Sequence, residues 1–202
     1  MTNRARILFV AGESGVGKST VCQSMGGHTL LLYADRITET AGPQHFRDTN
    51  ECFAIWSLWT SELENPENHL RLESAFHEAT LKVIDEELTN AVDLVIEGAI
   101  TGHSQFRALM LRMLEREFQI LCSNAEVNVF WLDPPPAEIL EYIQKRGRPT
   151  DADVTLQGVQ QRATRYAAMM KGQTFQRFES PADLEKAGVA FFKNDKTPNH
   201  DY

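Results

Sequence analysis

Cysteine is scarce. The 202 residues hold three, Cys22, Cys52 and Cys122. An odd number of thiols spaced this far apart argues against a disulfide framework or a zinc site and points to reduced thiols in a cytoplasmic setting. Long apolar runs are missing too. Nothing approaches the roughly 18 consecutive apolar residues of a membrane span, and the opening Met-Thr-Asn-Arg-Ala-Arg lacks the apolar stretch of a secretory leader. Proline clusters once, at Pro134-Pro135-Pro136, too briefly to act as a linker between domains, and no repeat or low-complexity segment occurs. With 42% apolar and 24% charged residues, the balance is that of a globular chain, and residues 1–202 are expected to form a single domain with a sizeable core.

Positive charge is also in deficit. A net charge of −8 argues against a general nucleic-acid binder, which must neutralise phosphates. The deficit is uneven, however. Residues 61–100 carry ten acids and two bases, whereas residues 140–178 carry three acids and seven bases, so a local cationic surface survives on an acidic chain.

Short apolar runs alternate with amphipathic stretches. Residues 6–11, 29–34, 93–97, 127–132 and 189–193 read as buried strands. Helical patterns occupy 18–25, 51–64, 67–89, a stretch marked by Phe106, Leu109, Met110, Met113 and Leu114, one with Ile139, Leu140 and Ile143 on its inner face, and one marked by Val159, Ala163, Tyr166 and Met170. Asp133 stands where it would cap the helix that begins in the prolines. Strands apolar throughout, alternating with helices, imply an α/β fold: a five-stranded, mostly parallel sheet covered on both faces.

The chemistry concentrates in one loop. Gly12-Glu13-Ser14-Gly15-Val16-Gly17-Lys18-Ser19 matches G-x-x-x-x-G-K-[S/T] without departure, and Thr20 follows. Glycines let the backbone turn several N–H groups toward one anion, and the helix that follows adds its positive end. Lys18 is expected at the terminal phosphates and the Ser19 hydroxyl at Mg²⁺. A glycine-rich turn with a solvated lysine would use the same residues. The apolar strand running straight into the loop and the helix leaving it favour a nucleoside triphosphate site.

Gly12 to Thr20, the acid Asp35 after the second strand, Val95-Ile96-Glu97-Gly98, and Arg146-Gly147-Arg148-Pro149-Thr150-Asp151 after a helix together resemble the P-loop small-molecule and nucleotide kinases. The resemblance spans residues 6–194; its loop motif is specific and its other motifs are loose. It implies a P-loop fold with an arginine-bearing lid at 145–155, ATP with Mg²⁺ as cofactors, and a small-molecule acceptor held by residues 36–90. Asp35 would activate the acceptor hydroxyl. Glu97 would hold Mg²⁺ through water or touch the acceptor, and Arg146 and Arg148 would stabilise the transferring phosphoryl group. A basic helix end complementing its dipole is the plainer account of those arginines. Arg162 and Arg165, on the next helix, fit a return to the phosphates and a solvated surface equally well. The loop that begins at Asn194 would lie beside the adenine. No Asn-Lys-x-Asp guanine signature is present, which favours ATP.

The acceptor is less legible. Arg36 and Arg47 suit a phosphate, and Trp56 suits stacking on a base, although Trp56 and Trp59 at i, i+3 also fit a buried helix face. His103 follows Glu97 closely enough to reach an acceptor or a phosphate. Three functions fit: an ATP-dependent kinase of a nucleoside, nucleotide or similar metabolite; a kinase of a nucleic-acid hydroxyl, either a polynucleotide end or 5-hydroxymethyluracil in DNA; and a nucleotide-dependent switch with no acceptor. The adjacent Asp35-Arg36 resembles polynucleotide kinases and keeps the second open.

Overall fold

The computed structural model describes residues 5–25, 29–33, 93–118, 125–148 and 151–193. Among the described residues, five strands form one sheet: β1 (Arg6–Ala11), β2 (Thr29–Tyr33), β3 (Asp93–Glu97), β4 (Glu126–Leu132) and β5 (Gln176–Phe178). Their order is β2-β3-β1-β4-β5, and each adjacent pair is parallel. The described helices are α1 (Lys18–Ser24), α2 (Ser104–Phe118), α3 (Pro136–Arg146), α4 (Leu156–Met170) and α5 (Pro181–Lys193), with a 3₁₀ turn at Ala99–Gly102.

β1 lies at the centre because every residue in it can be buried: all six side chains are inaccessible or nearly so. Alternation sends them to two faces. Leu8 and Val10 join Val95, Phe130, Leu132, Ile139, Ile143, Leu184 and Phe191 in one core, whereas Ala11 and Trp131 pack with Tyr166 and Met170 of α4 in another. Phe130 stacks its ring 5.0 Å from Phe178 and 6.3 Å from Phe191, tying the edge strand β5 and helix α5 to the sheet. Phe106, Leu109, Met110, Met113 and Leu114 of α2 are all buried.

Two expectations need correction. Residues 189–193 are the last turns of α5, not a strand. A five-residue apolar run fits either structure, but Leu184, Gly188, Phe191 and Phe192 are the buried set, which is helical spacing from Pro181. The fifth strand is Gln176–Phe178, three residues of which two are exposed, too short and too polar for an apolar pattern to mark. Asp133 does not cap α3. Pro135 is the cap residue and supplies no side-chain bond. The Asp133 carboxylate instead accepts from Arg177 Nε at 2.9 Å, while its backbone N–H extends the ladder to the Phe178 carbonyl at 2.8 Å.

A parallel sheet brings all strand C-termini to one edge. From β1 the chain goes to the edge strand β2, returns to β3 beside β1, and then crosses to β4 and β5 on the other side, so the direction reverses beside β1, the crevice where open α/β sheets bind ligands. The glycine-rich loop leaves β1 at this point.

Candidate active site

The loop is shaped by close approach as well as by its own turns. Gly12 has φ +151°, and a Cβ on it would lie 2.6 Å from the Leu132 carbonyl oxygen at the end of β4. Gly15 has φ +92°, and a Cβ there would lie 2.6 Å from Ile143 Cγ1 of α3. Side chains are therefore excluded by strain and by space together. α1 starts directly after the loop, and Lys18, its first residue, is only 6% exposed.

Lys18 Nζ donates to the Glu13 carbonyl at 2.8 Å, so the ammonium lies across the loop that carries it. Ser19 Oγ donates to Glu97 Oε1 at 2.7 Å. Glu97, the last residue of β3, pairs in register with Val10 on one side and Tyr33 on the other, and it is 4% exposed. A hydroxyl and a carboxylate thus meet at the base of the loop. Gly98 then breaks the strand at φ 152° and turns the chain into Ala99–Gly102, where Thr101 Oγ1 donates to both the Val10 and Gly98 carbonyls at 2.9 and 2.8 Å.

Tyr166 of α4 closes the rear of the site. Its hydroxyl accepts from the Gly12 backbone N–H at 2.8 Å and donates to the Ala99 carbonyl at 2.9 Å. One phenol therefore bridges the phosphate loop and the turn after β3. No amphipathic pattern marks such a role, since Tyr166 also lies on the inner face of its helix. Arg107, in the first turn of α2, is buried beneath the same turn and donates to the Thr101 carbonyl at 2.6 Å and to Gln173 Oε1 at 2.5 Å.

The arginines divide. Arg146 ends α3, and a Cβ on Gly15 would lie 4.0 Å from one of its terminal nitrogens, so its guanidinium borders the loop. It is bound bidentately by Asp151: Nε to Oδ2 at 2.9 Å and Nη2 to Oδ1 at 2.7 Å. That hydrogen bonding holds the Asp151 carboxyl below its usual range. Arg148 is exposed and engages Asp151 through its backbone N–H at 3.3 Å. Arg162 of α4 reaches back to the loop, its Nε 2.6 Å from Glu13 Oε1. Burial pushes the Glu13 carboxyl up to about 7, against the pull of Arg162 and Lys18.

His103 sits at the start of α2, where burial and the neighbouring Arg107 charge hold its imidazole down to about 4. It is neutral at physiological pH and brings no positive charge to an anion. Burial and the nearby Glu97 push the Cys22 thiol far above its usual range, which makes it a packing residue without nucleophilic character. Asp35, Arg36, Arg47, Trp56 and Asn194 lie outside the described residues.

A family model described as an AAA domain matches residues 7–169. Among solved structures, the tunicamycin resistance protein of Deinococcus radiodurans has a similar fold, with a TM-score of 0.51 at 13% identity, over 92% of this chain and 94% of that one. Shikimate kinase from Bacteroides thetaiotaomicron aligns with a TM-score of 0.48 at 13% identity, over 93% of this chain and 96% of that one. A chain of the Pnkp1/Rnl/Hen1 RNA repair complex aligns with a TM-score of 0.47 at 13% identity over 87% of this chain, which spans about half, 48%, of that longer one. No curated protein matches the chain. The match to the tunicamycin resistance protein shows a shared fold and nothing of activity. Among the described residues, no helix is long and apolar enough to cross a membrane.

Proposed function

Because the chain belongs to the AAA domain family, we propose that it is an ATP-dependent phosphotransferase that moves the γ-phosphoryl group of ATP to a hydroxyl of a nucleoside, a nucleotide or a similar small metabolite. The observation that carries this reading is the meeting of Lys18, Ser19 and Glu97 at the ligand-binding edge of the sheet, with the Ser19 hydroxyl 2.7 Å from the Glu97 carboxylate. Phosphoryl transfer asks for charge neutralisation and alignment more than covalent chemistry; Lys18 supplies positive charge, and Ser19 with Glu97 supplies oxygen donors for a cation that would add more.

The Ser19 hydroxyl and the Glu97 carboxylate are hard oxygen donors, and such a pair suits Mg²⁺, which takes few protein ligands and keeps phosphate and water oxygens around it. When bound, the ion neutralises charge on the β- and γ-phosphate oxygens. Lys18 binds the terminal phosphates after leaving the Glu13 carbonyl. Residues 12–20 surround the remaining phosphate oxygens, which the loop N–H groups after Gly12 cradle, the Gly12 N–H being held by Tyr166. Arg146 and Arg148, in the lid at 145–155, stabilise the transferring phosphoryl group. With Glu97 assigned to the metal side, Asp35 is our choice for the base that takes the acceptor proton. Arg36, Arg47, Trp56 and His103 belong to the acceptor side and Asn194 to the adenine side.

A nucleic-acid hydroxyl is the second reading of the acceptor. Exposed Arg165, near enough to Glu13 to act on its charge, and exposed Arg148 favour it by giving this edge a cationic rim.

Transfer from γ-labelled ATP with Mg²⁺ tests the reading. Acceptors are a nucleoside and nucleotide panel, ordinary DNA, and DNA with hydroxymethylated bases. Label on a small molecule is expected, and Lys18→Ala should abolish it while leaving the circular dichroism spectrum unchanged. Label on DNA would select the second reading. Release of free phosphate alone would overturn both and leave a nucleotide-dependent switch.

A further inference from the structure

Two arginine–carboxylate pairs border the phosphate loop, and they are built differently. Arg146 and Asp151 share two aligned hydrogen bonds. Arg162 and Glu13 approach as closely, at 2.6 Å, with 24% and 11% of their side chains exposed. Yet neither Glu13 oxygen, and neither Nε nor Nη2 of Arg162, takes part in a directed hydrogen bond, although all four atoms are buried. The contact is an ion pair without the aligned geometry of Arg146 and Asp151. It leaves the guanidinium fork with unspent directional capacity at the mouth of an anion site, where buried donors are otherwise satisfied.

Glu13 also lies inside the loop that Lys18 serves, and its carbonyl holds the Lys18 ammonium at 2.8 Å. One residue thus occupies both cations, the lysine through its backbone and the arginine through its side chain. We propose that Glu13 is a positioning residue: it stands in for the phosphate anion, holds Arg162 at the loop, and yields it to the incoming polyphosphate, so that nucleotide binding is a competition between two anions for one guanidinium. The proposal rests on the nucleotide binding assigned above and not on transfer.

The exchange has a proton cost. The charges facing Glu13 are Arg162, Lys18 and Arg165, which favour its ionised form, and Asp133, which opposes it. Once Arg162 turns to phosphate oxygens, the Glu13 carboxylate loses its nearest cation and gains a polyanion as neighbour. Both changes raise its proton affinity from a value already at about 7. Nucleotide binding therefore takes up a proton at Glu13 when the pH is above neutral. Below neutral the carboxyl is already protonated and does not compete.

Calorimetric titration of the full chain with Mg·ADP near pH 6 and near pH 8.5 tests this in the wild type, Glu13→Gln, Arg162→Gln and the double variant. The nucleotide's own ionisation is common to all four and cancels in their ratios. Glu13→Gln should bind about tenfold more tightly than the wild type near pH 8.5, and within about twofold of it near pH 6, the size expected for removing about one unit of linked protonation. In the Arg162→Gln background, the change at position 13 should have a much smaller effect, because there is no guanidinium to compete for and only the repulsion between carboxylate and polyanion remains. Binding by Glu13→Gln that is unchanged or weaker near pH 8.5, or an effect as large without Arg162 as with it, overturns the proposal. Lys18→Ala separates this failure from a failure of the site itself. If that variant binds as tightly as the wild type, the loop is not the nucleotide site. If it binds weakly while Glu13→Gln gains nothing, only the competition is refuted.

Discussion

Ser19 and Glu97 stand 78 positions apart in sequence and are joined by a hydrogen bond of 2.7 Å. The bond links the first turn of α1 to the last residue of β3, and it aims a buried carboxylate at the hydroxyl beside Lys18. An ionised carboxylate in so enclosed a place needs partners. Here the hydroxyl provides one, and a divalent cation between the pair and the phosphates would provide a stronger one.

The first expectation concerns that cation. Glu97→Gln keeps an acceptor for Ser19 and removes the charge. We expect the Mg²⁺ concentration for half-maximal transfer to rise about tenfold or more, the usual cost of losing a group that orients or tunes a metal site, while binding of metal-free ADP changes little. A Mg²⁺ titration of the initial rate checks this. An unchanged midpoint would remove Glu97 from the metal side and return it to candidacy as the acceptor base.

Much of this site is legible in the sequence because it is local. The loop motif needs only eight consecutive residues, and Glu97 is marked by a strand that ends in an acid and a glycine. The pairings that place the arginines are not local. Arg162 meets Glu13 across more than half of the chain, and Tyr166 meets Gly12 over 154 positions. Neither the charge pattern nor the helix period of residues 156–170 singles these two out. The apolar strands are readable for the same reason that 189–193 misleads. Burial on all sides erases the periodicity that separates strand from helix, and only the spacing back to Leu184 identifies α5.

Asp151 offers a test of stability with a defined pH sign. The bidentate bond from Arg146 lowers its pKa, so the carboxylate's contribution to folding is present above the ordinary value and lost as pH falls through the lower folded one. Asp151→Asn should therefore destabilise the protein at neutral pH by about 1 kcal/mol, the net worth of such a hydrogen-bonded contact. The gap from the wild type should close below about pH 4. Urea denaturation across that range reads it. A gap of constant size at all pH values would mean that the asparagine costs packing and not charge.

Glu13 carries the opposite sign. Burial raises its carboxyl from 4.5 to about 7, so folding favours the protonated form; this contribution is complete below the unfolded value and is lost as pH rises through 7. Glutamine resembles the protonated acid. The melting temperature of Glu13→Gln should match the wild type near pH 4.5 and exceed it near pH 8, in the absence of nucleotide. If the variant melts lower near pH 8, the ion pair with Arg162 outweighs the burial of the carboxylate, and Glu13 is held in the loop as a charge.

Tyr166 separates positioning from stability. Its hydroxyl is the partner of the Gly12 N–H and of the Ala99 carbonyl at once, and its ring packs near Trp131 with centroids 6.3 Å apart. Tyr166→Phe keeps the ring and leaves two backbone groups without their bridge. The cost of unsatisfied buried groups sets the expected loss of stability at about 1–3 kcal/mol. The same change loosens the loop at its first residue, where β1 ends and the phosphate-facing turn begins. Nucleotide affinity should therefore fall together with stability, whereas Tyr166→Leu, which also removes the ring, should lower stability further with little additional loss of affinity. Parallel denaturation and ADP titration of the two variants distinguish these effects. An affinity that follows the loss of ring packing, and not the loss of the hydroxyl, would assign Tyr166 to the core alone.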